Sequence, residues 1–153
     1  MFPRWMFIFL SFTTAVLTAA EDRYATVAIA PAKTSIYVGT VTLTMPTFER
    51  RGSRFESVYM AKVFPYFFYN ESGALGIDFS AEQLSRLARG ERVEFNGMAR
   101  CETGETRRVE GHATPTDADT GKIKVRVFVS KTIELIFNTT YRFAPRPAKA
   151  AGR

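Results

Sequence analysis

The chain has 153 residues, a formal net charge of +6, one cysteine and one histidine. This length suffices for one domain with a hydrophobic core, and a single cysteine excludes an intramolecular disulfide bond. The cations Arg4, Arg146, Lys149 and Arg153 lie near the two ends, so the middle of the chain carries little net charge. A nucleic-acid-binding surface requires cations clustered on one face, and no nucleic-acid partner is predicted.

The N-terminal segment Met1–Ala20 has the features of a secretory signal peptide. A short basic start precedes the apolar run Trp5–Leu10, and the small residues Thr18 and Ala20 suit signal peptidase. An uncleaved membrane anchor is the alternative, but a spanning helix needs about 20 apolar residues and hydroxyl side chains follow Leu10. We therefore predict cleavage after Ala20 and export to the periplasm or the medium, with no transmembrane anchor remaining. The absence of a disulfide in an exported domain favours a bacterial source.

Composition predicts three segments after the leader. Residues 21–32, mostly small, are predicted to be a linker. Residues 33–143 are predicted to form a single β-rich domain. The segment 144–153 is basic and rich in proline and alanine, and it is predicted to be disordered.

The predicted domain shows the two-residue alternation of apolar and polar side chains that is typical of half-buried strands. Turn-forming residues separate the alternating runs. The predicted strands are Ser35–Met45, Phe55–Phe64, Leu75–Phe79, Val93–Ala99, Arg107–Ala113, Ile123–Val129 and Ile133–Phe143. The fold class is therefore all-β, an antiparallel barrel or sandwich of about seven strands.

One short helix is predicted at residues 80–89. Ser80 and Gln83 have the spacing of a capping box, in which each side chain bonds the other residue's backbone N–H. Leu84 and Leu87 give the helix one apolar face, and Gly90 is a suitable stop. A helix this short requires docking on the sheet to persist.

A hairpin turn centred on Gly104 is predicted to place Gly97 opposite Gly111 on the inward face of the sheet. Paired glycines leave a gap in a sheet surface, and an aromatic ring is expected to fill it.

An aromatic stretch at residues 64–69 is the most unusual feature of the composition. Its aromatic members, which form the candidate ligand or interaction surface, are Phe64, Tyr66, Phe67, Phe68 and Tyr69. Two interpretations exist: these rings line a pocket or sticky edge, or they belong to a strand buried on both faces whose rings fill the glycine gap. The sequence favours the buried strand, and exposure of the rings would reverse that preference.

No catalytic, cofactor or metal motif is present. His112 is the only histidine and falls on the polar face of its strand, where a solvated role is expected. Cys101 lies near the predicted turn while His112 lies well along the strand, so a thiol–imidazole pair is not expected. The acidic segment Asp117–Gly121 departs from the spacing of a calcium loop and is predicted to be a turn.

These observations predict a non-catalytic exported protein that binds an apolar ligand or a cell-envelope component. A structural or protein-interaction role in the envelope, with an envelope protein as partner, is the alternative. A hydrolase that uses His112 is the third hypothesis. The sequence does not define the oligomeric state.

Overall fold

The computed structural model describes residues 23–146, so the predicted leader and most of the predicted tail lie outside the described residues. Within this range lie ten strands, the α-helix 81–88 and one short 3-10 helix. The strands are β1 Thr26–Ile29, β2 Ala32–Ile36, β3 Gly39–Thr44, β4 Phe48–Arg51, β5 Arg54–Phe64, β6 Glu71–Asp78, β7 Val93–Cys101, β8 Thr106–Pro115, β9 Thr120–Phe128 and β10 Glu134–Ala144. The α-helix, α1, is Ala81–Ala88, and the 3-10 helix is Phe67–Tyr69.

The strands close into an antiparallel barrel. Pairing runs from β5 through β4, β1, β10, β9, β8, β7 and β6, and β6 pairs again with β5. Eight strands therefore form the ring. The hairpin β2–β3 adds two strands at the end of β5 that β4 leaves unpaired, where Val41 lies opposite Val63. The all-β antiparallel prediction is confirmed, and the architecture is a barrel rather than a sandwich.

Three strands were missing from the sequence prediction. The predicted strand Ser35–Met45 is in fact a hairpin that turns at Tyr37 and Val38. In this hairpin, even-numbered residues of β2 lie opposite odd-numbered residues of β3, as Thr34 lies opposite Val41. The alternation therefore shifts by one residue at the turn. Tyr37, inside the predicted strand, is fully exposed in the turn.

The predicted linker 21–32 is also wrong over its described part. Its β1 pairs with β10 and β4, and Val27 and Ile29 are buried in the barrel. The folded domain therefore starts before Lys33. With only four residues, β1 has too few alternating positions for periodicity to reveal it.

The predicted helix is confirmed. The Ser80 hydroxyl accepts a hydrogen bond from the Gln83 backbone N–H at 3.2 Å, and Gln83 Oε1 accepts one from the Ser80 N–H at 2.7 Å. Leu84 and Leu87 are buried in the core. α1 follows β6 in the chain, and its Leu87 lies beside the inward residues Phe79 and Phe95. It therefore covers the end of the barrel that β6 reaches, which we call the closed end.

The hairpin β7–β8 forms as predicted but in a different register. Gly97 lies opposite Val109, and Gly111 lies opposite Phe95. Gly104 has φ +93° and is the last residue of a three-residue loop rather than its centre, which moves the pairing by two residues. An aromatic ring does fill the space above Gly111, but it is that of Phe95: an added β-carbon would lie 2.5 Å from its Cζ.

The two halves of the barrel interior differ. Near the closed end, aromatic rings fill the interior and contact one another at centroid distances of 5.4–6.3 Å. These rings are Phe55, Phe79, Phe95, Tyr141 and Phe143. Toward the other end, which we call the mouth, the inward residues include Ala61, Val63, Ala99, Val109 and Val127. Such small side chains leave space inside an eight-stranded barrel.

Candidate functional site

The mouth half of the barrel contains a cavity of about 740 Å³. This volume lies within the range of roughly 300–1,000 Å³ that small-molecule sites occupy. Most of its lining is aliphatic, including Leu43, Leu75, Val109 and Leu135. The exposed residues Tyr37 and Ile133 also border it, so the cavity opens to solvent at the mouth.

Four connections surround the mouth. Three join β5 to β6, β7 to β8 and β9 to β10, and the fourth is the turn of the hairpin β2–β3, which pairs with the end of β5. They are the turn 37–38, the segment 65–70, the turn 102–105 and the turn 129–133. The mouth therefore consists of loops carried on a hydrogen-bonded barrel. Such loops are the common location of binding sites.

An exposed apolar cluster lies on two of these neighbouring connections and on the last residue of β5. We call it the apolar rim, and it consists of Tyr37, Val38, Phe64, Phe67, Phe68 and Tyr69. Their relative exposures range from 60% to 106%. Phe64 packs edge-on against Phe67 at 6.0 Å, and Phe68 lies 4.5 Å from Tyr69 between centroids. Exposed contiguous apolar clusters on a soluble domain are typical of interaction sites.

The preferred interpretation of residues 64–69 as a buried strand is wrong. Strand β5 ends at Phe64, and Phe67–Tyr69 form a 3-10 helix with no buried residue. Asn70 stabilises this bend, because its side-chain oxygen accepts a hydrogen bond from the Val63 N–H at 2.8 Å. Of the five predicted surface residues, only Tyr69 lines the cavity, Tyr66 is half-buried, and the other three project into solvent.

A polar cluster projects into the cavity wall near the mouth. Arg107 Nη2 donates to Glu71 Oε2 at 2.6 Å and Arg107 Nε donates to Glu71 Oε1 at 3.0 Å, a bidentate ion pair. The Tyr59 hydroxyl donates to Glu71 Oε1 at 2.5 Å. Arg107 Nη1 also donates to the Val129 carbonyl at 2.9 Å. The cluster therefore joins β5, β6, β8 and the end of β9, and it places polar atoms beside an apolar cavity.

The hydrogen bonds from Arg107 hold the pKa of Glu71 well below its ordinary value, at about 2. The same contact raises the pKa of Arg107. Burial, followed by the hydrogen bond to Glu71, raises the pKa of Tyr59. At neutral pH the cluster therefore contains a carboxylate, a guanidinium and a neutral phenol. Its two central charges cancel.

Sequence reasoning missed this cluster, although a signal was present. Arg107 has the same strand parity as the buried Val109, and Glu71 has the same parity as the buried Leu75. A charged residue on the inward face of a strand is rare unless it is paired. The partner was hidden, because Glu71 and Arg107 are 36 positions apart in the chain.

The other candidate residues do not come together. Cys101 is buried beside the polar cluster, with its Sγ 3.5 Å from the Tyr59 hydroxyl. His112 faces outward between Glu94 and Lys124, on the opposite side of the sheet from the inward Cys101. Burial, followed by the charges of Arg92 and Lys124, lowers the pKa of His112. It borders an outer groove of about 310 Å³ whose lining is largely charged.

The Asp117 turn forms as predicted. The carboxylate of Asp117 accepts hydrogen bonds from the backbone N–H groups of Asp119 and Thr120, at 2.9 and 2.8 Å. Within residues 23–146, no group of three or more histidine, cysteine, aspartate or glutamate side chains is placed to hold a metal ion. No helix in this same part of the chain is long and apolar enough to cross a membrane.

The cavity, the apolar rim and the polar cluster together form the candidate site. Comparison of the chain with protein-family models, with curated proteins and with solved structures finds no match.

Proposed function

We propose that this chain is an exported, non-catalytic binding protein that holds one apolar ligand inside its barrel. The observation that carries the proposal is the cavity of about 740 Å³ in the mouth half of the barrel. Transfer of apolar surface from water into such a cavity contributes roughly 25 cal/mol per Å². The signal-like segment Met1–Ala20 supports export, and an exported carrier meets ligands outside the cytoplasm.

The distribution of polar atoms describes the ligand further. The hydrogen-bonding side chains of the lining lie toward the mouth and the deeper lining is apolar, so the body of the cavity suits a hydrocarbon chain or ring system. The polar atoms of Tyr59, Glu71 and Arg107 lie on the mouth side. A ligand with one polar end therefore binds with that end toward the mouth, where it reaches either the cluster or water.

Native mass spectrometry of protein recovered from an exporting host tests the proposal. The expected species is a chain that begins at Glu21 with one bound small molecule. Binding of N-phenyl-1-naphthylamine, an uncharged apolar dye that fluoresces when it leaves water, gives a second measurement on the delipidated protein.

The variant Ala99→Phe provides the specific test, because Ala99 is buried and lines the cavity. Its ring enters the space that the ligand occupies, and dye affinity is expected to fall about ten-fold or more. Ala28→Phe is the matched control, since Ala28 is exposed on the outward face of β1. Equal dye affinity in the two variants, or a wild-type protein that never carries or binds an apolar molecule, would contradict the proposal.

A further inference from the structure

We infer that the apolar rim is a docking surface for an anionic lipid bilayer, on which the barrel mouth faces the membrane. The inference goes beyond ligand binding, because the rim can dock whether or not the cavity is filled. Phe67 and Phe68 are 66% and 76% exposed and do not line the cavity, so a role inside the binding site does not explain them.

The position of the rim is the first argument. Its side chains lie on the turn 37–38, on Phe64 at the end of β5 and on the segment 65–70. These are neighbours at the mouth because β3 pairs with the end of β5. Tyr37, Val38 and Tyr69 also border the cavity. The exposed apolar surface is thus continuous with the apolar interior, and a hydrocarbon molecule that leaves a bilayer at the rim enters the cavity without crossing water.

The chemistry of the rim is the second argument. Phenylalanine and tyrosine rings are favourable at the level of lipid headgroups, where an apolar body contacts acyl chains and a hydroxyl remains wet. The backbone that carries these rings forms a 3-10 helix, and the hydrogen bond from the Val63 N–H to the Asn70 side chain holds it against β5. Little conformational entropy is therefore lost when they enter the interface.

Charge is the third argument, and it selects an anionic surface. Lys62, two residues before Phe64 on β5, and Lys131, on the mouth turn 129–133, are exposed, and neither forms a salt bridge within residues 23–146. The acidic residues on that side, Glu71 and Glu134, are paired with Arg107 and Arg126. Each unpaired lysine near an anionic bilayer strengthens binding roughly five-fold.

The remaining acidic residues of the mouth, Glu102 and Glu105, lie on the turn between β7 and β8. This turn adjoins the segment 65–70, since the Glu102 N–H donates to the Ser72 carbonyl at 3.0 Å, and it lies across the mouth from the turn 37–38. The barrel therefore docks with a tilt, with the apolar rim and the lysines against the bilayer and the β7–β8 turn farther from it.

A tryptophan at the rim tests this orientation directly in the full chain. On a Trp5→Phe background, Phe68→Trp places the single indole in the rim, and Val58→Trp places it on the exposed outer face of β5. With phosphatidylcholine/phosphatidylglycerol vesicles, emission of the rim indole is expected to shift to shorter wavelength, while emission of the β5 indole stays unchanged. If only the N-terminal segment attached the protein to the vesicles, both indoles would stay in water. An unshifted emission of the rim indole would therefore overturn the inference.

Sedimentation with the same vesicles measures the affinity. Phe67→Ser/Phe68→Ser is expected to lower the partition coefficient about ten-fold or more, and Lys131→Gln roughly five-fold. Val58→Ser/Met98→Ser, which removes two exposed apolar side chains from the outer face of the barrel wall, is expected to bind as the wild type does. Equal partitioning of the rim and control variants would refute membrane docking.

Two further outcomes separate this inference from its rivals. A wild-type dimer in solution that Phe67→Ser/Phe68→Ser dissociates would show that the rim covers a second copy, and it would overturn the inference. Dye binding in the absence of vesicles is expected to persist in this rim variant. If the wild type does not bind the dye, the proposed ligand binding is refuted. The vesicle experiments then decide membrane docking by themselves.

Discussion

At the scale of single residues, the ion pair between Glu71 and Arg107 is the most consequential contact. Its side chains are 23% and 15% exposed, and they border an apolar cavity. Charges in such a position are tolerated because the pairing is bidentate and because each partner makes a further hydrogen bond. Glu71 accepts one from Tyr59, and Arg107 donates one to the Val129 carbonyl. Removing one partner leaves the other charge poorly solvated, so each partner depends on the other.

We expect Glu71→Gln to lower the free energy of unfolding by about 1–3 kcal/mol at pH 7, as for other hydrogen bonds to charged groups. The pKa of Glu71 is about 2, below its ordinary value. Its carboxylate therefore stabilises the fold fully above the unfolded pKa, and this contribution is lost as the pH falls from about 5 toward 2. Urea unfolding at several pH values measures the difference, which should shrink as the pH decreases.

Glu105→Gln is the matched control for this prediction. Glu105 accepts from the same guanidinium at 3.1 Å but is 68% exposed, so its loss is expected to change stability by less than about 1 kcal/mol. A difference between wild type and Glu71→Gln that persists unchanged at low pH would contradict the assignment of that stability to the ionised carboxylate.

At the scale of elements, α1 is an example of a structure that a short sequence pattern is sufficient to predict. The capping box needs only Ser80 and Gln83, three positions apart, and both of its hydrogen bonds form. Strands β1 and β4 have four residues each. β1 pairs with the distant strand β10, and β4 pairs with β1 and forms a tight hairpin with β5. Alternation therefore predicted the long strands, while the short strands and the turn at Tyr37 escaped it.

We expect Ser80→Ala to lower the free energy of unfolding by about 1 kcal/mol, because it leaves the Gln83 backbone N–H without its acceptor. Thermal or urea unfolding measures the change. Ser85→Ala is the control, since Ser85 lies on the exposed face of α1 and alanine has the higher helix propensity. An equal loss of stability in the two variants would argue against the capping role of Ser80.

At the scale of the whole molecule, the sequence predicted an all-β antiparallel fold, but it left open whether the sheet closes into a barrel and it did not reveal the cavity. Closure depends on β6 pairing with β5 on one side and β7 on the other, which alternation does not specify. The cavity depends on the sum of many inward volumes. Aromatic rings near the closed end and alanine or valine near the mouth produce it, and no single position signals it.

The same reasoning explains the aromatic stretch. Five aromatic residues in a soluble domain are more often core than surface, which is why residues 64–69 were predicted to be buried. Phe95 instead fills the space above Gly111, so no ring of the stretch occupies that gap. The end of β5 at Phe64 places it beyond the sheet, where its side chains form the rim.

The hollow half of the barrel makes the stability of the whole domain depend on its ligand. A ligand in the cavity gains contacts that exist only in the folded state, and binding therefore raises the free energy of unfolding. At a concentration of free N-phenyl-1-naphthylamine about 100 times its dissociation constant, the gain is expected to be about 2.7 kcal/mol. Differential scanning calorimetry of the wild type with and without the dye measures it.

The variants of the binding test decide where this stabilisation originates. Ala28→Phe is expected to show the same rise in melting temperature as the wild type, because its ring lies outside the barrel. Ala99→Phe is expected to show little or no rise, and its ligand-free form should melt close to the wild type, since its ring enters space that is already vacant. A full rise in Ala99→Phe would place the dye on the outer surface or the rim, because a filled cavity cannot supply the additional contacts.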